Sequence, residues 1–493
     1  MKTKLSERGV HAASGIKVET DSVFPVIGIC GRRSGLKPAL RGIVRGGVIL
    51  FSALLALNFT LTAKPFNVLD FGAKGDGATP DTAAIQHAID AATGDGGQVL
   101  IPRSRQFLVA TLVLKGGIDF HLDGELVIST NQSDYASDGV ITASNATNLH
   151  ITGSGKISGR SLSFMTGYDA TNEWWLFKDW RPKMFVLTGC TNLVVRDITF
   201  GDAPLWGLHM LGCQNVLVDN VTVNNRLAVP NCDGIDPDHC RDVEIRNCHL
   251  TCGDDAIVIK STRQTNDFGP CANIHVHDCV IRTQDAGLKI GTETTGDIHD
   301  IVFERCKILS GSRGLCIQLR DEGNISNVVF RDIQFTSRYY SYPWWGRGEA
   351  ISLTAIPRLP TTKIGTLRNI QIQNVTGSAE NSVRINGTAD SRIQDVILEN
   401  VSVKLDRWTK YGGDVFDNRP TRVFDPIETH DTPGFSIRCA DDVTLKNCSV
   451  TWGRNLPDYF TSALEAESVT GLRLTGFKGG AAHPNRDPDI FIH

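Results

Sequence analysis

TNLVVRDITF, residues 191–200, decides the fold because the chain says it again and again. The phrase is an Asn or Asp, an alternating apolar run, a polar corner and a second short run. It returns as QNVLVDNVTV from Gln214, RDVEIRNCHL from Arg241, ANIHVHDCVI from Ala272 and HDIVFERCKI from His299. Further copies are SNVVFRDIQF from Ser326, RNIQIQNVTG from Arg368, IQDVILENVSV from Ile393 and DDVTLKNCSV from Asp441. The first apolar position gives the register Leu193, Val216, Val243, Ile274, Ile301, Val328, Ile370, Val396 and Val443. Most gaps are roughly 23 to 31 residues, the spacing of stacked repeat units.

Alternation of period two is the mark of strands with one buried face. No helix-period stretch of a dozen residues separates the copies, which argues against βαβ units and leucine-rich horseshoes. Short strands with polar corners predict an all-β chain, a single-domain parallel β-helix whose coils stack about 4.8 Å apart. Asn and Asp at the corners suit tight turns and left-handed conformations. Cys248, Cys279, Cys306 and Cys448 share one position of the phrase and read as a ladder of small buried side chains. Cys240, Cys248 and Cys252 lack a recognisable zinc spacing. A solenoid end needs covering. The amphipathic stretch Thr79–Ala92, with Ala84, Ile85, Ala88, Ile89 and Ala92 on one stripe, is the expected cap. Gly96–Pro102 and Ala110–Ser129 read as the first strands.

Outside the solenoid the N-terminus differs. Residues 1–63 carry nine Lys/Arg and three Asp/Glu, while the whole 493-residue chain has a net charge of −4. Arg41 and Arg45 precede the apolar run Val48–Ala63, the layout of a secretory signal and too short for a confident membrane span. Residues 1–63 are therefore expected to be an extension with a signal peptide, and residues 64–493 the β-helix domain. The mature chain would be secreted or periplasmic, with no stable membrane insertion. Its acidic balance excludes a basic nucleic-acid-binding stripe.

One stretch is unlike the other corners. Asn231–Ser261, NCDGIDPDHCRDVEIRNCHLTCGDDAIVIKS, holds seven carboxylates. Asp233 and Asp254 lie about one coil apart, so stacking brings them onto one face. Neighbouring strand residues point to opposite faces, so Asp254 and Asp255 can both reach solvent only if Gly253 bends the chain. Asp236 and Asp238 sit on the same corner. Clustered carboxylates raise one another's pKa, which suits the acid and base of glycoside hydrolysis. Solvated corners and a calcium site are the competing readings.

NCDGIDPD, CGDDAIVIKS and the N-terminal FNVLDFGAKGDGATPDTAAIQHAIDAA resemble glycoside hydrolase family 28, the polygalacturonase family, over most of residues 66–335. The resemblance implies a right-handed parallel β-helix and hydrolysis with inversion of a pectin-type polysaccharide or its oligosaccharides. Asp254 would be the general acid, and Asp233 and Asp255 would position and deprotonate the attacking water. No metal or cofactor is implied, and the chain is expected to act as a monomer.

The chain departs from the family at two motifs. Gly-His-Gly becomes QDAGLKIGTE, with Ala286 at the expected His. Arg-Ile-Lys becomes GLCIQLRDEG, with Cys316 and Gln318 at the two cations. Parity turns Lys289, Cys316, Gln318 and Arg320 outward, toward the side where the family binds sugar. Lys289 and Arg320 are candidates for substrate contact, with Gln318 and Glu293 behind them. Lys260 is a further cation beside the acids, and His209 and Trp206 lie one coil before Asp233. The aromatic stretches Tyr339–Glu349 and Asn172–Phe185 suit either stacking on sugar or packing on the flank. A polysaccharide lyase using Lys260, Lys289 or Arg320, and a non-catalytic carbohydrate-binding β-helix, are the alternatives.

Overall fold

The computed structural model describes residues 65–93 and 96–493. The expected signal segment lies outside the described residues.

The chain winds as a right-handed parallel β-helix, its strands paired in parallel from coil to coil. Every apolar mark of the repeat stands in one row. Leu193 pairs with Val216, Val216 with Val243, Val243 with Ile274, and Ile274 with Ile301. The row continues through Val328, Ile370 and Val396 to Val443. Leu149, in the phrase TNLHIT, extends the row one coil beyond the repeats named above. Each row position is buried, and each Val or Ile taken from water contributes about 1.5–3 kcal/mol.

The corners turn as the composition suggests. Asn148, Asn192, Asn215, Asp242 and Asn273 all have φ between 51° and 57°. Their side chains form a ladder, with Asn192 Nδ2 donating to Asn148 Oδ1 at 2.9 Å and Asn215 Nδ2 to Asn192 Oδ1 at 2.6 Å. The four ladder cysteines are buried and free, and Cys248 Sγ donates to the Arg246 carbonyl at 3.1 Å.

The cap is helix α1, Thr82–Ala92, which starts later than expected because Asp76–Pro80 is a strand. Ile85, Ala88, Ile89 and Ala92 are buried against the first coil. The first strand, Pro65–Asn67, precedes the helix and pairs with Gln98–Ile101.

A second face of the solenoid matters for function. Its strands are β1 Lys183–Thr188, β2 Leu208–Leu211, β3 Ile235–Asp238, β4 Ile257–Ser261 and β5 Ala286–Thr294. They continue as β6 Arg313–Leu319, β7 Glu349–Ala355 and β8 Asn381–Asn386. Leu288, Ile290, Leu315, Ile317 and Leu319 point into the core, so the parity reading of these strands holds. Asp236 and Asp238 correct the corner assignment: both belong to β3 and are fully buried.

Candidate active site

The turn before β4 carries the paired acids. Gly253 has no left-handed φ, so its glycine answers a need for space: a Cβ there would lie 2.1 Å from the Val229 carbonyl oxygen. The loop ending in Asp233 thus packs directly on the turn holding Asp254 and Asp255. Oxygens of Asp233, Asp254 and Asp255 all fall within 4.8 Å of one another, the convergence expected from one coil and one bend.

Their surroundings differ. Asp254 is partly buried and accepts from the backbone N–H of Asn231 at 3.1 Å and of Asp255 at 2.9 Å. Burial, with the charges of Asp233 and Asp255, pushes its carboxyl up to about 8. Burial and Asp236 push Asp233 well above the ordinary range, against the pull of Lys260. Burial also brings Asp236 to about 7. Asp255 instead receives the Lys289 ammonium at 2.7 Å and the Ala286 N–H at 3.3 Å.

Two lysines reach the acids from the sheet. Lys260 Nζ lies 3.4 Å from Asp233, 3.7 Å from Asp236 and 3.5 Å from Glu293. Burial of the Lys260 ammonium opposes its charge, yet Asp233, Glu293 and Asp236 hold its pKa well above normal. Lys289 is raised in the same way, with burial opposing and Asp255 prevailing. The carboxylates have the spacing of a cation site, but two ammonium groups already supply positive charge there. Burial opposes the charge of Glu293 too, and Lys260, Lys289 and Arg358 hold it below its usual range.

His209 is buried, with Nε2 3.1 Å from Asp238 Oδ2 and Trp206 edge-on at 4.9 Å. Burial lowers the His209 pKa against the pull of Asp238. The Trp206 ring lies 4.7 Å from Lys183 Nζ and 4.6 Å from Lys260 Nζ, forming the upstream side of the site.

Gln318 and Arg320 correct the expectation of substrate contact. Both point away from the core, yet both are fully covered. Gln318 Nε2 donates to the Arg419 carbonyl at 3.2 Å, and Arg320 NH2 to that of Asn418 at 3.4 Å. A hairpin of Val415–Asp417 and Ile427–Thr429, far along the sequence, lies over them. The aromatic stretch Tyr339–Glu349 divides: Tyr339 and Trp344 are buried, and Tyr342 is exposed. In the other, Trp175 and Trp180 are half-buried against the core, while Leu176 and Phe177 are exposed.

Asp285 was missed. The register pairing Ile257 with Leu288 sets it one coil beyond Asp254, a signal that aligning CGDDAIVIK with TQDAGLKIG would have given. It is buried, accepts from Ser312 Oγ at 3.2 Å and lies 3.6 Å from Arg313. Burial, then Asp255, drives its carboxyl well above the ordinary range.

A solenoid face bearing clustered acids with raised pKa values defines a class, the β-helical glycoside hydrolases. The sequence matches the family model of Glycosyl hydrolases family 28 over residues 94–412, and the chain belongs to that family. It is 23% identical to polygalacturonase-2 of Solanum lycopersicum, over 69% of this chain and 75% of that protein. It is 25% identical to an exopolygalacturonase of Zea mays, over 69% and 83%. The fold is shared with a family 28 exopolygalacturonase of Yersinia enterocolitica, with a TM-score of 0.66, 20% identity, and 85% of this chain and 79% of that one covered. The chain is thus a polygalacturonase-like glycoside hydrolase, which sets aside the lyase and the purely binding alternatives.

Proposed function

We propose that this chain hydrolyses glycosidic bonds of a pectin-type polysaccharide by acid/base catalysis with inversion. The observation that supports the reading is the convergence of Asp233, Asp254 and Asp255, whose oxygens lie within 4.8 Å of one another in unlike surroundings. Burial and its acid neighbours push the Asp254 carboxyl up to about 8, favouring its protonated form, while Asp255 is ion-paired with Lys289. Asp254 would give its proton to the leaving glycosidic oxygen. Asp233 and Asp255 would position the water that attacks the anomeric carbon from the opposite face, and ion-paired Asp255 would take its proton.

Lys289 and Lys260 hold the acids in place and present positive charge to an anionic sugar. His209 and Glu293 border the same patch. Gln318 and Arg320 serve the covering hairpin instead. The nearest oxygens of the trio are closer than the roughly 6.5–9.5 Å of a two-carboxylate inverting pair. Inversion therefore rests on the family resemblance, and proton NMR of the first product decides it; a retained anomer overturns inversion alone. Reducing-sugar release from polygalacturonate and from a panel of other pectic glycans tests the activity. Release from none of them overturns the reading.

The chain is further proposed to act outside the cell as a monomer. Among the described residues no helix is long and apolar enough to cross a membrane. N-terminal sequencing of protein recovered from the extracellular or periplasmic fraction checks export: a mature start near residue 64 is expected, and an intact residue 1 speaks against it.

A further inference from the structure

The outer face of the sheet is more fully covered toward its far end, with His209 on β2 and Asp236 and Asp238 on β3 already buried beside the acids. Upstream, Val186 and Thr188 on β1 and Leu211 on β2 keep partial exposure. Downstream, Cys316, Gln318, Arg320, Ser352, Thr354 and Arg384 face outward and are all essentially inaccessible. Over Gln318, Arg320 and Arg384 lies the hairpin of residues 415–429.

This hairpin crosses the sheet from edge to edge, parallel to the strands. At one edge Asn381 Nδ2 donates to the Val415 carbonyl at 2.9 Å, and the Gly346 N–H to Asp417 Oδ2 at 2.8 Å. Over the middle, Arg384 NH2 donates to Asn418 Oδ1 at 2.7 Å, beside the contacts of Arg320 and Gln318. At the far edge the Arg422 N–H donates to the Arg358 carbonyl at 2.9 Å, and Thr421 Oγ1 to that of Pro357 at 2.8 Å. Both carbonyls follow β7. The bar thus blocks any path along the solenoid axis over β6, β7 and β8.

The bar also faces the site. Its Arg419 guanidinium lies 5.9 Å from the Trp345 ring, and Lys289 Nζ lies 6.0 Å from the same ring. The paired acids stand at the level of β4 and the bar begins over β6, two coil steps or about 10 Å further on. On the flank, a second hairpin, Met165–Asp169 with Trp174–Phe177, is tied across by Glu173 to Lys410 and Tyr411. Trp174 meets Trp344 edge-on at 5.9 Å.

A long polysaccharide cannot thread through such a dead end. We propose that the chain attacks its substrate from one terminus, the terminal sugar or two seated against Trp345 and Arg419 and the rest leaving over β1 and β2. This rests on the hydrolase reading above. It also explains why Gln318 replaces a family cation: that position holds the bar.

The test digests polygalacturonate and rhamnogalacturonan and follows viscosity, reducing ends and product sizes together. One small product from the earliest times, with viscosity nearly constant, is expected. A ladder of sizes with a fast viscosity fall overturns terminal attack and leaves the hydrolase reading standing. No cleavage of any glycan overturns the hydrolase reading instead, and terminal seating is then judged by binding. Asp254→Asn is titrated with short oligogalacturonides carrying a bulky tag at one end or the other. A tag at one end alone should weaken binding by at least about tenfold; equal binding of both tagged forms, or no binding at all, overturns it. Replacing Pro420–Asp425 by two glycines should add mid-chain products, and an unchanged pattern in that variant, once its circular dichroism shows it folded, overturns the assignment of the block to the bar.

Discussion

Two desolvated carboxylates on the same face behave in opposite ways. Asp254 is pushed up to about 8, while Asp417, in the hairpin itself, is held well below the ordinary carboxylate range. Burial opposes the charge of both. Asp417 answers it with Arg419, at 2.9 Å to one oxygen and 2.7 Å to the other, and with Arg313 and Arg347 at 3.7 and 3.8 Å. Asp254 has two backbone donors and two acid neighbours. Arg313 stands between the regions, 3.6 Å from Asp285 and 3.7 Å from Asp417. Burial alone pushes both carboxyls up, and the neighbours decide whether that push prevails. The sign of the neighbouring charges makes one acid a proton donor and the other a structural clamp.

The sharpest break of this comparison is Asp254→Asn. Losing the general acid should lower kcat by about 10²- to 10⁴-fold, with circular dichroism unchanged. Retention of most of the rate would move the acid elsewhere in the cluster. The wild-type rate should also fall as pH rises through about 8, where Asp254 gives up its proton. Stability carries the same sign. A carboxyl raised from 3.8 to about 8 stabilises the fold fully below the lower value and loses that contribution as pH rises through the upper one. Asp254→Asn should therefore gain thermal stability relative to wild type across that window, measured as Tm against pH.

Asp417→Ala is the opposing case. It strips a partner from buried Arg313 and Arg347 and from half-buried Arg419, and removal of one member of a buried pair costs about 3–5 kcal/mol. The Tm at neutral pH should drop markedly. The deficit should shrink in acid, because a lowered carboxyl loses its contribution as pH falls toward its folded value. A Tm close to wild type at neutral pH would show that the hairpin is held by its backbone contacts alone.

Gly253→Ala probes the space between the acids. A Cβ 2.1 Å from the Val229 carbonyl forces the loops apart, and a displacement near 1 Å in a catalytic constellation costs about 10²-fold. The loss should appear in kcat more than in Tm, by steady-state kinetics and calorimetry on the same preparation. Equal kinetics in the two proteins would mean that the turn tolerates a shift.

Much of this was legible in the sequence, for a physical reason. Rows of Val and Ile at coil spacing state their own register, and Leu193 through Val443 pair as the alternation dictates. Convergence of Asp233, Asp254 and Asp255 followed from the same period. The covering of Gln318 and Arg320 did not. Parity says which way a side chain leaves the strand, but only tertiary contact says what waits there. The partners Asn418 and Arg419 lie about a hundred residues away in a loop without a repeat. Asp285 was within reach of the same register, because it stands one coil beyond Asp254, beside Ala286.

The smallest effect belongs to the repeating part of the molecule, and it closes the comparison between coil and site. Cys279 sits in the ladder with Cys248 and Cys306, buried, its Sγ donating to the His277 carbonyl at 3.3 Å. Cys279→Ser keeps the size and the donor, and a hydroxyl can make that same bond. What changes is the transfer of a slightly more polar atom into an apolar row, for which a loss of about 1 kcal/mol or less is expected. Activity should be unchanged, because no acid of the site touches this row. A small drop in Tm with wild-type kinetics is the expected result. A large loss of activity would mean that strain in the regular coils reaches the acids, and the division between a tolerant scaffold and a demanding turn would have to be redrawn.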